Sequence, residues 1–442
     1  GMSSVLARHL GAGRFGEARG IFAGAQGLAV TLGLALNLLL AAVGEPIALL
    51  AAGGSETLAS MGLIYLQISV LASPMVFLLS VNSDALRNEG MIVFMVSMSL
   101  LTSITNIGFN ALLIGDQDMG VAGSAYGTAM AQVLSLGVIL VFRLFGDTAL
   151  RPSVLWRSSL VTGWARIFAL GAPQSLNYVG LALGSAAILA ALQWVGAPEY
   201  EATVSAYGII TRLITFAFLP LLGLALAMQT ITGHNFGAAE FRRSERSLMI
   251  ALAVSLAYCA SMQALMTVFA KPIGAVFVAD QRVVSEVALI LPDLSAGFFL
   301  AGPLMIIAMH FQAIGDAARA ALLGLTKPYA LAVPLTFVLA GALGEPGVWL
   351  AAPVADLLLL GLTVFVLVRR SQRGEQRWGL PHADEGAGAC HRPCQLLGRR
   401  RRLPNVCVTT WPLKGSTSVI RRRLKKSPIA TAFATGTRCT LP

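Results

Sequence analysis

QTITGHNFGAAEFRRSERS, residues 229–247, is a glycine- and arginine-rich connector between two long apolar stretches. A fainter copy, RHLGAGRFGEAR, occupies residues 8–19, where Gly11, Ala12 and Phe15 answer Gly237, Ala238 and Phe241 at an offset of 226. Gly120, Val121 and Ala125 recur as Gly347, Val348 and Ala352 at an offset of 227, and Gly90 recurs as Gly315 at 225. Similar connectors in the same order indicate a duplicated unit.

The chain between these connectors is too apolar for a soluble globule: 56% of residues are hydrophobic, 12% are charged and the mean hydropathy is +0.74. In lipid only a closed helix satisfies its own backbone, and a span needs about 20 apolar residues. Ten such stretches are predicted, at roughly 20–43, 58–83, 92–113, 122–142, 167–194, 204–232, 248–270, 287–311, 325–343 and 348–368. The fold class is therefore an all-α polytopic membrane protein. Basic residues gather on alternate connectors, at Arg8, Arg14, Arg19, Arg87, Arg143, Arg151, Arg157, Arg166, Arg242, Arg243, Arg246, Arg319, Lys327, Arg369 and Arg370. The positive-inside rule makes that side cytoplasmic, and with it the C-terminus. Glu45, Glu56, Asp116, Asp118, Glu199, Glu201 and Glu345 lie opposite, with only Lys271 and Arg282 as basic company.

Of the 32 Lys/Arg and 21 Asp/Glu, residues 371–442 hold 14 and 3, so 1–370 carries 18 of each and the excess charge belongs to the tail. That tail lacks apolar periodicity and is expected to be a disordered or out-of-frame extension, with no nucleic-acid partner. Cys259 stands alone in a span, while Cys390, Cys394, Cys407, Cys439 and His391 fall in the tail without the paired spacing of a zinc site. No metal site and no cofactor are expected. The domain reading is an N-terminal lobe at 1–142, a linker at 143–166, a C-terminal lobe at 167–370 and the tail at 371–442. If the duplicated unit is a six-helix bundle, the fold is two such bundles. The first is incomplete, because GMSSVLARHL reads as the inner end of a helix and only four full spans follow it before residue 143.

The motifs LGAGRFGEA, ALRNEG, TNIGFNALLIG, MGVAGSAYGTAMAQ, LGAPQSL, AYGIITRLITFAFLPLLGLALAMQTITGHNFGAA and HFQAIGDA, in this order and spacing across residues 1–370, resemble the multidrug and toxic compound extrusion (MATE) transporters. The bacterial branch related to DNA-damage-inducible proteins fits best. The resemblance implies two six-helix lobes that rock between inward-open and outward-open states in a bacterial inner membrane. It also implies export of drug-like compounds, by a monomer, against a proton or sodium gradient.

Polar residues inside spans are the natural site candidates, since hydrocarbon penalises them unless they pair or face a cavity. Asn106 and Asn110 lie four apart on one helix face, and Thr128 lies on the next span. In MATE transporters the matching positions contribute to a cation or proton site. Asn110 departs from the pattern, standing where an aspartate is common, and the family's first helix with its aspartate is expected to be missing ahead of Gly1. Asp356 is the deepest carboxylate of the second lobe, expected either to titrate during transport or to pair with Arg212. Gln174, Asn177, Tyr178 and Arg212 are candidates for a substrate cleft. Gly11, Gly13, Gly90, Gly237 and Gly315 mark the connectors. His310 reads as an interfacial or capping group, and Arg8, His9 and His234 read as anchors at lipid headgroups. Gly123/Gly127 and Gly180/Gly184 form GxxxG pairs for close helix contact, and Pro74, Pro220, Pro303, Pro334 and Pro353 are places where spans can bend.

Two other functions compete. A lipid-modifying membrane enzyme needs clustered acids or a His/Asp pair near one interface, and neither occurs. A flippase for lipid-linked sugars usually needs a cationic central cavity, and Arg212 is the sole basic residue read inside a span. A truncated, inactive transporter is the third alternative.

Overall fold

The computed structural model describes residues 1–51, 55–146, 148–151, 158–371 and 378. Arg157 and the four tail cysteines lie outside the described residues. Every regular element among the described residues is helical. The stretch expected to form the first lobe holds α1 (Met2–Gly11), α2 (Phe15–Ala51), α3 (Glu56–Leu71), α4 (Ser73–Asn88), α5 (Ile92–Asn110) and α6 (Gly120–Phe145). A π-helical turn at Ala111–Asp116 extends α5. The second lobe comprises α7 (Trp164–Val195), α8 (Tyr200–Gly237), α9 (Phe241–Val268), α10 (Ala270–Phe277), α11 (Gln281–Ser295), α12 (Phe298–Ile314) and α13 (Ala317–Leu325). It continues through a π-helical segment, Thr326–Ala332, into α14 (Val333–Leu343) and α15 (Glu345–Ser371).

Among the described residues, eight helices are long and apolar enough to cross a membrane, and the number rises to ten when the bent pairs α3/α4 (49°) and α11/α12 (43°) each count as one span. This matches the ten expected. Of the five span prolines, only Pro74 lies at one of these breaks; Pro220, Pro303 and Pro353 ride inside continuous helices. The second break falls at Ala296–Gly297, where α11 ends and α12 begins. Pro334 stands where the π-helical segment passes into α14 without a break in the helix.

Apolar side chains face outward as well as inward. On α5, Val93, Ile104 and Ile107 are 82%, 67% and 69% exposed and no residue is fully buried. In water this would be a large adhesive face; against lipid tails it is the expected covering. The second-lobe core gathers Leu192, Ile210, Leu221, Cys259, Val287, Ile290 and Leu291. The main first-lobe cluster sits at the arginine-rich end, where Leu6, Phe22, Ala85 and Leu150 pack with Ile167 and Leu170 of α7.

The duplication is visible in the backbone. Gly13 and Ala239, 226 apart, both take left-handed conformations after a helix, with φ of +70° and +60°, and Gly90 and Gly315 do the same at +81° and +92°. A left-handed alanine costs about 1–2 kcal/mol, so the connector geometry is imposed at Ala239 rather than chosen by it. The side chains repeat as well. Leu150, following α6, is fully buried in the cluster that holds Phe22 and Ala85. Trp378, following α15, packs on the cluster that holds Leu248, and His310 lies within hydrogen-bonding distance of its carbonyl. The three correspondences have offsets of 228, 226 and 225.

α15 runs to Ser371 and Trp378 packs on the clusters of Leu248 and Leu323; the rest of the tail, expected to begin at 371, lies outside the described residues. Arg143, expected to be a connector charge, is fully buried. Its guanidinium pairs with Glu89 at 2.8 Å, donates to the carbonyls of Leu150 (2.9 Å) and Asn82 (3.2 Å), and lies 5.1 Å from the Phe22 ring. Glu89 also accepts the Leu150 amide at 2.9 Å, so the pair clamps the start of the linker to the first lobe. Breaking such a pair one-sidedly costs about 3–5 kcal/mol.

Candidate functional site

Asn106 and Asn110, one turn apart on α5, turn their amides toward α6. Asn106 Nδ2 donates to Thr128 Oγ1 at 3.0 Å, Thr128 donates to the Ser124 carbonyl at 3.0 Å, and Asn110 Nδ2 donates to Asn106 Oδ1 at 3.4 Å. Further along the same interface, Thr102 donates to Ser135 at 2.7 Å. Small residues on α6 make room for this chain. A Cβ at Gly127 would stand 2.2 Å from Asn110 Oδ1, and one at Gly123 would stand 3.1 Å from the Leu113 carbonyl. Of the second GxxxG pair, Gly180 meets Pro328 and Tyr329 whereas Gly184 meets nothing within 4 Å. Asn110 Oδ1 is buried and accepts no hydrogen bond among the described residues. The three residues thus form one relay of neutral oxygens and amides, with no described carboxylate bonded to it.

Asp356 lies apart from that relay, on α15. It is buried, and Lys327 Nζ stands 2.6 Å from its Oδ1. The expected partner, Arg212, lies on α8 and forms no ion pair with it. The reason is topological: the π-helical segment carrying Lys327 packs directly on α15, while α8 packs on α1, α9, α11 and α12. Lys327, expected on a basic connector, stands inside the span Ala317–Leu343. A reading by connectors misses it because it begins the stretch that Pro328 interrupts, within the π-helical segment rather than between helices.

Gln174 and Asn177 lie on α7, and Tyr178 beside them is 56% exposed. This part of α7 meets the π-helical segment through Gly180 and through the Tyr329 hydroxyl, which donates to the Leu176 carbonyl at 2.8 Å. The structure does not join the three side chains to one another or to Arg212 by hydrogen bonds.

The arginine-rich end holds the lobes together. α1 lies against α7, α8 and α12, and α2 touches α7. At the α1/α8 crossing a Cβ on Gly11 would come 2.1 Å from the His234 carbonyl oxygen, and one on Gly237 would come 2.1 Å from that of Arg8. The two connector glycines are thus the contact itself, each admitting the other helix's backbone. Arg8 does not reach toward headgroups: its Nη1 donates to the Ala313 carbonyl at 2.9 Å, packed over Gly315. His9 is also buried, 3.0 Å from Glu17, and burial lowers its pKa more than the glutamate raises it. His234 folds back on the Thr230 carbonyl of its own helix at 3.0 Å. His310, expected at an interface, is fully buried, with its ring edge-on to Phe311 and Trp378. Beside it, Gln312 accepts from Gln229 at 2.8 Å and donates to the Leu170 carbonyl, tying α12 to α8 and α7. Gln229 and Gln312 carry no signal in sequence beyond being polar in apolar surroundings.

The MatE family profile matches residues 1–112 and 179–338, more than half of the chain. The chain belongs to the MatE family. That membership places it among transporters rather than enzymes. It is 24% identical to a probable multidrug resistance protein, YoeA of Bacillus subtilis, over 60% of this chain and 60% of that protein. It is also 24% identical to the multidrug export protein MepA of Staphylococcus aureus, over 84% of this chain and 81% of that one. Among solved structures, a ligand complex of the MATE multidrug transporter DinF-BH superposes with a TM-score of 0.74 at 27% identity, covering 83% of this chain and 82% of that one. For YoeA, the matched stretch is thus less than two thirds of the relative's length.

Proposed function

We propose that the chain is a secondary active efflux transporter of a bacterial inner membrane, exporting lipophilic, often cationic compounds in exchange for protons or sodium. The observation that carries this reading is the zone of contact, among the described residues, between the expected lobes. The lobes meet through α1 and the inner ends of α2, α7, α8 and α12, while the polar relay of Asn106, Asn110 and Thr128 lies within one lobe. By the positive-inside rule that zone is cytoplasmic, which makes the conformation closed inward and leaves the lobes free to part by rocking about the α1/α8 crossing. Gln174, Asn177 and Tyr178 are offered to the substrate on α7, with Arg212 on α8, and the relay is offered to the coupling ion, whose passage biases the two states. The transporter acts as a monomer with the bilayer and its small-molecule substrates as partners; it needs no cofactor beyond the coupling ion.

The flippase reading requires concentrated positive charge in the cleft. Of the basic residues placed inside spans, Lys327 pairs with Asp356 and Arg212 is the charge left to the cleft, which falls short of that concentration. The deciding experiment is expression of this chain in a pump-deficient bacterium, followed by dye efflux from energised cells and from proteoliposomes with an imposed proton or sodium gradient. Faster loss of ethidium that collapses with one of the two gradients is expected. Retention equal to the empty-vector control, at confirmed membrane insertion, overturns the reading.

A further inference from the structure

Lys327 and Asp356 make an ion pair well inside the apolar spans Ala317–Leu343 and Glu345–Arg369. Their surroundings are unequal: the aspartate side chain is 7% exposed and the lysine side chain 34%. The carboxylate faces the α11/α12 break, where a Cβ on Gly297 would lie 3.0 Å from Asp356 Oδ2 and 2.8 Å from Pro353 Cα. Helix backbone therefore closes one side of the carboxylate, and the lysine ammonium covers another from a π-helical segment. Such segments lack the regular ladder of an α-helix and recur at functional places in helices.

Other titratable groups stand on the elements packed against α15: Arg166 and Tyr178 of α7, Arg282, Glu286 and Asp293 of α11, His310 of α12 and Tyr329 of the π-helical segment. Among the described residues, the ion pair that Asp356 makes is with Lys327. An ionised carboxylate at this depth does not persist without a positive charge beside it. If the partly exposed ammonium withdraws, another positive charge must take its place.

We propose that Asp356 and Lys327 form a proton-exchange site of the second lobe, in which the carboxylate holds one positive charge at a time, the tethered ammonium or a proton. When the ammonium withdraws, a proton from water bonds to a carboxylate oxygen; when it returns, that O–H bond breaks and the proton goes back to water. No other bond changes. The exchange itself does not rest on the transport reading, although its use in coupling does.

The test is infrared difference spectroscopy of the full chain in liposomes, following the carboxylic-acid C=O stretch, with the uncharged double variant K327Q/D356N as the blank. At pH 7 the wild type and K327R should lack the Asp356 acid band and K327Q should show it. A K327Q spectrum without that band overturns the proposal, because Asp356 would then remain ionised with no lysine. Should K327Q fail to insert, acid titration of the wild type against the same blank decides: the band must rise reversibly as pH falls, and its absence down to the onset of unfolding overturns the site. Proton exchange without ethidium export would refute the transport reading alone, and export without exchange would refute this site alone.

Discussion

Gly237→Ala should loosen the inward closure by a calculable amount. The added methyl would sit 2.1 Å from the Arg8 carbonyl oxygen and 2.9 Å from both Arg8 C and Cα, and every one of those atoms is backbone. A carbon and an oxygen need roughly 3.3 Å, so α1 and α8 must separate by about 1 Å at their crossing, and no rotamer change can absorb it. Overpacking of this kind costs about 1–3 kcal/mol. The cost falls only on the state in which the helices touch, so the ratio of closed to open molecules should drop by roughly 5- to 150-fold. Gly11→Ala meets the His234 carbonyl oxygen at the same distance and should act in the same direction. Because both substitutions open one contact, the double variant should cost less than the sum of the singles. Spin labels at Gly16→Cys and Arg243→Cys, on the two exposed connectors, would read the separation by pulsed electron resonance, after replacement of Cys259 and the four tail cysteines. A long-distance population should appear in G237A and be minor in its parent. An unchanged distribution in a variant that inserts and melts normally would show that the crossing does not hold the closed state.

In the first-lobe relay, N110D places an acid beside Asn106 and should change the pH or sodium dependence of export in proteoliposomes; unchanged dependence would leave the relay a structural contact. G127A drives a methyl to 2.2 Å from Asn110 Oδ1 and should impair export at intact insertion, with normal export excluding Asn110 from the pathway. W378A should destabilise by about 1–3 kcal/mol, a thermal shift of a few degrees in a chain this size. Deletion after Gln372 should match W378A and deletion after Gly379 should match the full chain; equal melting for both truncations would show Trp378 to be passive. His9 is neutral in the fold because burial lowers its pKa, so the unfolded chain binds its proton first, stability falls as pH drops below about 6.5, and H9Q should flatten that acid limb in a melting series.

The fold is legible in sequence because its causes act over long stretches. A span needs about 20 apolar residues whatever its neighbours do, and a duplicated connector announces itself twice, so the ten spans and the importance of Gly11 and Gly237 can be found by counting. The breaks are less legible. A proline removes one backbone bond, but a helix yields there only if its surroundings leave room, which is why Pro303 sits in continuous α12 while the bend falls at Gly297, packed against Pro353 and Asp356.

Pairings between distant residues lie further out of reach. Asn106 with Thr128 can be foreseen, since adjacent spans joined by a short connector must lie side by side. Asp356 with Lys327 cannot, because the positive-inside rule counts charge by connector and has no means to see a lysine drawn into the bundle by a carboxylate. Arg143, Arg8 and His9 escape for the same reason: each weighs in sequence as a charge facing water, and each is satisfied by partners that folding alone supplies, namely Glu89, the Ala313 carbonyl and Glu17. Trp378 follows the same logic one level up. Composition turns abruptly after Gln372, and composition gives no sign that Trp378 beyond that turn packs on the Leu248 cluster, as Leu150 does on that of Phe22. In a duplicated membrane protein, then, a polar or aromatic residue is better judged by what its repeat partner touches than by the composition around it.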